Sequence, residues 1–503
     1  MKRQNRQVKL MKNSEQIFSL GSLLPKGIML FVAFMNSHLS LMAQKSLDPV
    51  FVLPDTVVAF AVDEFYNVIL KYHPVVKQAG LLSSMAQQEL RLARGGFDPK
   101  LNLTLDKKDF QEKPYYDRVD GYLSFPSWFP INPKVGFEHH TGDFLDPSET
   151  IPGDKLWYAG VSVPIGQGLF TDQRRAAVRQ AELLQTMAEA EKIKVINKIL
   201  LNAAKDYWQW YHAYYNYRLL ERASAIAGEI FNRVKLDERF GEAAVIDTVQ
   251  AKITWQSRLI EQQEALLMFQ NTGVLISNYL WDESGSPLQL SLRVAPYLES
   301  MDQQILDITT ATSLMELARA NHPELITIRT KIDQLEVERK LASEYLKPRL
   351  DLNYSVLSLP DPLEVNFDRD YKFGLDFSIP VFLRKERSKL AITKLKVLDA
   401  QFYQDQRERE IINEILVVFN QLTNTNIILS QLREMVDLYD RILQAELVNL
   451  SNGESDLFKI NIQQEKLIQS QSKLVKLMAE YQKSKANLYW AAGTPNLNFA
   501  AVE

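Results

Sequence analysis

The 503-residue chain contains no cysteine, which removes disulfide frameworks, thiolate zinc sites, iron–sulfur clusters, cysteine nucleophiles and a lipid anchor on cysteine. Histidine is almost as scarce, six in all, and leaves metal chemistry little to work with. Glycine and proline, at 19 and 20 residues, are too few for a collagen-like or linker-like polymer and point to long regular elements. Long hydrophobic runs are missing as well: beyond residue 44 no window reaches ~18 uncharged apolar residues, so no later transmembrane helix is expected. Anything that enters a bilayer interior must then be strands closed into a barrel. An excess of positive charge is also absent. Setting aside residues 1–44 leaves 52 basic against 61 acidic residues, a balance that speaks against a nucleic-acid-binding surface.

What is present starts with those 44 residues. Six Lys and Arg (Lys2, Arg3, Arg6, Lys9, Lys12, Lys26) lead into an apolar run from Gly27 to Met35, and a small residue, Ala43, follows. This is the order of a secretory signal peptide, with an uncleaved N-terminal anchor as the alternative. Either way the body of the protein is expected to be exported.

The body reads as two copies of one unit. Tyr72-His73-Pro74-Val75 recurs as Asn321-His322-Pro323-Glu324, and Asp98-Pro99-Lys100-Leu101 as Lys347-Pro348-Arg349-Leu350, both at an offset of 249. Val161-Ser162-Val163-Pro164 returns as Phe377-Ser378-Ile379-Pro380, Phe240-Gly241-Glu242 as Asn452-Gly453-Glu454, and Trp281 as Trp490. The expected organisation is a signal peptide over 1–44, a first repeat over 45–282, a loop-rich linker over 283–310, a second repeat over 311–493 and a tail over 494–503. The first copy carries an aromatic-rich insertion within 107–156, with Tyr115, Tyr116, Tyr122, Phe125, Trp128 and Phe129, expected to form an outward loop or a strand extension.

Each copy opens with a helix that ends before a His-Pro pair, where proline suits the first turn of the next helix. His73 and His322 therefore read as structural, since neither has a second ligand at helical spacing; the adjacent His139-His140 reads as plain loop. Period-2 alternation follows. Leu350, Leu352, Tyr354 and Val356 alternate with Asp351, Asn353 and Ser355; Tyr371, Phe373, Leu375 and Phe377 alternate with Lys372, Gly374 and Asp376. Leu101 to Leu105 and Trp157 to Val163 repeat the pattern, giving two strand hairpins and four strands. A half-buried sheet of a soluble domain also alternates in this way, but no apolar helix lies nearby for such a sheet to rest on.

Proline-free helical stretches follow at ~172–240 and ~384–451, each about 100 Å long if continuous. Heptad seams such as Ile415, Leu422, Leu429, Val436 and Leu443 mark them as coiled-coil-like. Helices return at ~243–281 and ~455–491 after the turns at Gly241-Glu242 and Gly453-Glu454, where glycine permits a positive φ. The expected fold is thus mainly α with inserted β: duplicated long helical hairpins plus four strands. Four strands cannot close a barrel that needs about eight, so several chains must share one.

In order, spacing and duplication these landmarks resemble the TolC-like outer membrane efflux proteins. The resemblance spans nearly the whole mature chain, with His-Pro in place of that family's usual Asn-Pro. It implies a homotrimer with a shared transmembrane β-barrel of twelve strands in the outer membrane, a periplasmic tunnel of twelve helices, and docking on a periplasmic membrane-fusion adaptor and an inner-membrane pump or secretion ATPase. It implies no enzyme activity and no cofactor; nor does the sequence hold a phosphate loop, a nucleophile elbow or an HExxH spacing. Efflux and type I secretion both remain open, as does a periplasmic coiled-coil adaptor or spacer without a channel. At the far tip Arg239, Gly241, Glu242, Asp247, Gly453, Glu454 and Lys459 become the candidate gate and docking residues. Because Lys459 stands where the first copy has Asp247, an acidic ring would have to come from the first copy. Glu242 and Asp247 could equally serve only the dipole of the returning helix. On the strands, Leu352, Tyr354, Phe373, Leu375 and Phe377 are expected to face lipid.

Overall fold

The computed structural model describes residues 57–291, 293–297, 308–359 and 365–495; the expected signal peptide and most of the tail lie outside them. A short strand β1 (Val58–Ala61) leads into helices α1 (Val62–Tyr72) and α2 (Pro74–Arg94). Four strands follow, β2 (Lys100–Phe110), β3 (Lys113–Ser124), β4 (Asn132–Thr141) and β5 (Lys155–Pro164), and then the first long hairpin, α3 (Gln173–Phe240) and α4 (Val245–Ser277). Strand β6 (Val294–Tyr297) precedes the second copy: α5 (Ile308–Asn321), α6 (Pro323–Glu344), β7 (Arg349–Ser358), β8 (Tyr371–Ser378), α7 (Arg384–Ser451) and α8 (Leu457–Ala491).

The long helices follow the sequence signals that set them. Asp172 caps α3 by accepting from Arg175 N at 2.8 Å, and Asp456 caps α8 by accepting from Lys459 N at 2.9 Å. Both α3 and α7 run 68 residues, about 100 Å. The expected seam is buried: Ile415, Leu422 and Leu429 are fully enclosed, as are Leu200, Tyr207 and Trp210 on α3. Within the chain α4 packs on α3, α3 on α8 and α8 on α7, so α4 and α7 are the outer helices of the row. No helix of the described residues is long and apolar enough to cross a membrane.

Both His-Pro junctions are helix caps. His73 Nδ1 accepts from Val75 N at 3.1 Å and His322 Nδ1 from Glu324 N at 3.2 Å, each with proline at the first helical position. Gly493, at φ 71°, lets the chain past the end of α8 lie so close to the His322-Pro323 junction that an added Cβ would fall 2.7 Å from the imidazole.

The loop-rich linker also holds a short strand. Its β6 pairs in parallel with β1, Val58 opposite Val294 and Ala61 opposite Tyr297. Tyr207 of α3 holds this pair from below: its hydroxyl donates to Phe60 O at 2.6 Å and accepts from Tyr297 N at 3.1 Å. Tyr207→Phe leaves these backbone groups without their partner and should cost about 1–3 kcal/mol, read as a lowered melting temperature with unchanged helical signal.

One expectation about the strands is corrected, their number. The sheet has six, in the order β2-β3-β4-β5-β7-β8 and antiparallel throughout, instead of four. The insertion supplies β3 and β4 and extends β2. His139 and His140 consequently lie on β4 and not in a loop. His140 is buried, with Nε2 2.8 Å from Asp120 Oδ1 and Nδ1 3.0 Å from Glu149 O. The Phe125 to Ile131 segment does not point outward either: it joins β3 to β4 at the helical end of the sheet, where Trp128 meets Phe97 at 5.5 Å between ring centroids and Asn132 accepts from Arg174.

Candidate functional site

Strand alternation assigns every residue of the sheet to one of two faces. Leu101, Leu123, Val135, Ala159, Val356 and Tyr371 lie in one row across all six strands. The parallel row Leu103, Gly121, Phe137 and Trp157 lies on the same face. So do the residues expected to meet lipid: Leu352 pairs with Leu375, Tyr354 with Phe373, and Leu350 with Phe377. The large apolar side chains at the two edges of this face are open, with Leu101 80% and Phe377 63% exposed. The opposite face is polar. Asp351 pairs with Asp376, Asn353 Nδ2 donates to Asp376 Oδ2 at 2.8 Å, and Arg118 bridges Asp106 and Glu149. One face suits hydrocarbon and the other water, over strands of 8 to 12 residues, close to the 9–11 that a tilted transmembrane strand needs.

At the other end of the long helices, Gly241 and Gly453 occupy the left-handed region at φ 78° and 76°, as the reversals require. The turns close through Glu242 N donating to Asp237 O and Glu454 N to Asn449 O. Asp247 accepts from Ala244 N at 3.2 Å and so caps α4 from its third position, whereas α8 is capped by Asp456, two residues after Glu454. The charge swap between Asp247 and Lys459 is thereby matched by a swap of capping residue between the copies. Among the described residues no ion pair joins Asp247 to Arg239 or Lys459 within the chain, and Glu238 instead accepts from Thr248 of the returning helix.

One feature was missed in the sequence although its signal is a plain heptad. Ile246, Ile253, Ile260, Leu267 and Val274 recur every seven residues along α4, and within the single chain they are 57–68% exposed. On α7, Ile428, Met435 and Ile442 form a second open seam. Two apolar stripes on the two outer helices are surfaces of a kind that water does not leave uncovered.

A sheet with one lipid-compatible and one polar face is thus set on two helical hairpins about 100 Å long. Known proteins share this fold. Residues 314–494, most of the second repeat, match the model of the outer membrane efflux protein family. The alkaline protease secretion protein AprF of Pseudomonas aeruginosa is 26% identical over 218 residues, a stretch covering 42% of this chain and 44% of that relative. Among solved structures, the outer membrane protein VceC of Vibrio cholerae superposes with a TM-score of 0.61 at 15% identity, covering 86% of this chain and 96% of that one. The CmeC outer membrane channel of Campylobacter jejuni gives 0.59 at 14%, covering 91% and 94%.

Proposed function

We propose that the chain is the outer membrane channel-tunnel of an export system. It assembles as a homotrimer, spans the outer membrane with a shared barrel, and takes cargo through a periplasmic helical tunnel docked on a membrane-fusion adaptor and an inner-membrane pump or secretion ATPase. The observation that carries this reading is the apolar face running across an open antiparallel sheet whose edge strands, β2 and β8, have no partner on one side among the described residues. In hydrocarbon each unpaired backbone group costs several kcal/mol, so such a sheet is stable there only when other copies close it. The exposed heptad of α4 and the open seam of α7 support the same closure in the helical part, α4 of one copy receiving α7 of the next. The likeness to a protease secretion protein favours protein cargo, and the efflux family favours small molecules; one passive tunnel serves either.

Fractionation and planar bilayers test the proposal. The protein should leave with outer membranes as an oligomer three times the chain mass and should conduct ions after reconstitution; a soluble periplasmic monomer would sink it.

The tip residues are proposed as the gate. In the trimer three Asp247 carboxylates, with Glu242 beside them, surround one axis and attract cations, while Arg239 and Lys459 supply links that a docked adaptor breaks. Asp247→Asn should therefore change conductance and weaken block by multivalent cations. If its only task is the cap on Ala244 N, worth about 0.3–1 kcal/mol, conductance and block stay at their original values.

A further inference from the structure

We infer that all six strands of each chain enter the membrane, so that the trimer closes an eighteen-stranded barrel whose bore matches the helical tunnel below it. This rests on the trimeric channel reading and concerns what the insertion adds to it. An inserted hairpin of a channel protein has two other places to go: projecting outward from the membrane as a loop, or folding into the lumen as a plug. Neither fits its register. Strands β3 and β4 are hydrogen-bonded along their length between β2 and β5, with eight residue pairs joining them to each other and eight joining β4 to β5. Their residues also continue the two faces through the rows nearer the helices: Leu123 and Val135 stand in the apolar row that starts at Leu101 and Gly121 and Phe137 in the next, beyond which Val119 stands opposite His139, while Asp120 and Glu138 stand in the polar row beside Thr104.

The lower turn adds a second, independent observation. The loop between β3 and β4 brings Trp128 and Phe129 to the helical end of the sheet, 43% and 71% exposed. There the chain also leaves Phe170 and Phe382 exposed, just past the ends of β5 and β8. Exposed aromatic side chains at one level around a barrel are the mark of a membrane–water boundary. The inserted pair therefore ends at the same boundary as the original strands.

Dimensions agree. Strands ~4.8 Å apart and tilted by ~40° close at a diameter of about 36 Å for eighteen and about 24 Å for twelve. The four long helices of each chain give a trimer twelve, and twelve helices ~9 Å apart close at about 34 Å. With eighteen strands the exit is as wide as the tunnel that feeds it, so bulky cargo admitted at the tip meets no narrower ring at the membrane.

The cysteine-free chain makes the test clean. Val119→Cys on β3 and Val135→Cys on β4 should react with a lipid-soluble maleimide in intact outer membranes, while Asp120→Cys should react only with a water-soluble one. Thr104→Cys on β2 combined with Lys372→Cys or Asp376→Cys on β8 should, on oxidation, give covalently linked trimers. An assembled trimer in which Val119→Cys is closed to the lipid-phase reagent, or in which the β8 cysteine links to Glu138→Cys on β4 and not to β2, overturns the eighteen-stranded barrel and leaves the channel standing. A chain that forms no trimer in the membrane overturns the channel reading itself.

Discussion

Leu352→Arg should sharply reduce the amount of assembled oligomer recovered from outer membranes, whereas Asn353→Arg, one residue away, should leave it nearly unchanged. Leu352 lies opposite Leu375 on the apolar face, and arginine near mid-bilayer on a lipid-facing strand costs roughly 2–4 kcal/mol. In the proposed trimer, three copies per barrel multiply that cost. Asn353 lies on the polar face, where its amide donates to Asp376, and an arginine there keeps a carboxylate partner and water. Heat-resistant oligomer on a gel measures both variants. Equal loss, or equal tolerance, would mean that the sheet does not separate lipid from lumen.

The second large effect is acid sensitivity at a helix cap. Burial lowers the pKa of His322 from 6.5 to about 4, which keeps the ring neutral and its Nδ1 free to accept from Glu324 N. The unfolded chain binds a proton at this group below pH 6.5, and the folded chain resists it until about pH 4. The contribution is therefore intact above pH 6.5 and is lost progressively as pH falls from 6.5 towards 4. The loss amounts to about 3 kcal/mol per chain. His322→Asn retains a side chain that caps helices well and does not titrate. Thermal melts at pH 7 and pH 4.5 should thus show a smaller acid-induced drop for the variant; carboxylates elsewhere titrate equally in both proteins. An identical drop would show that His322 is not the sensitive group.

Much of this architecture could be read from the chain because periodicity and punctuation coincide. The proline-free stretch 384–451 became α7 over Arg384–Ser451, and the Gly-Glu turns fell where a left-handed residue was needed. The strands of the second copy were legible because polar and apolar residues alternate there without interruption. Strands β3 and β4 were not. Tyr115-Tyr116, Asp117-Arg118 and His139-His140 place like residues side by side, so the alternation fades on a face whose polar side is populated by tyrosine and histidine. Strand β6 is only four residues long, and its partner β1 lies more than 200 positions away, beyond the reach of any local pattern. The tip glycines were legible as turns, but the capping of α4 by Asp247 and of α8 by Asp456 depends on backbone geometry that spacing alone leaves open.

The path of the chain through the sheet constrains how such a protein can change. Strand β2 receives the chain from α2 and β5 hands it on to α3, and both helices lie on the same side of the sheet. An odd number of strands between them would deliver α3 to the opposite side of the membrane, away from α4, α7 and α8. Any gain or loss of strands at this point must therefore come as a whole hairpin. In a threefold assembly each step alters the ring by six strands at once, so this architecture has no gradual route from a narrow exit to a wide one.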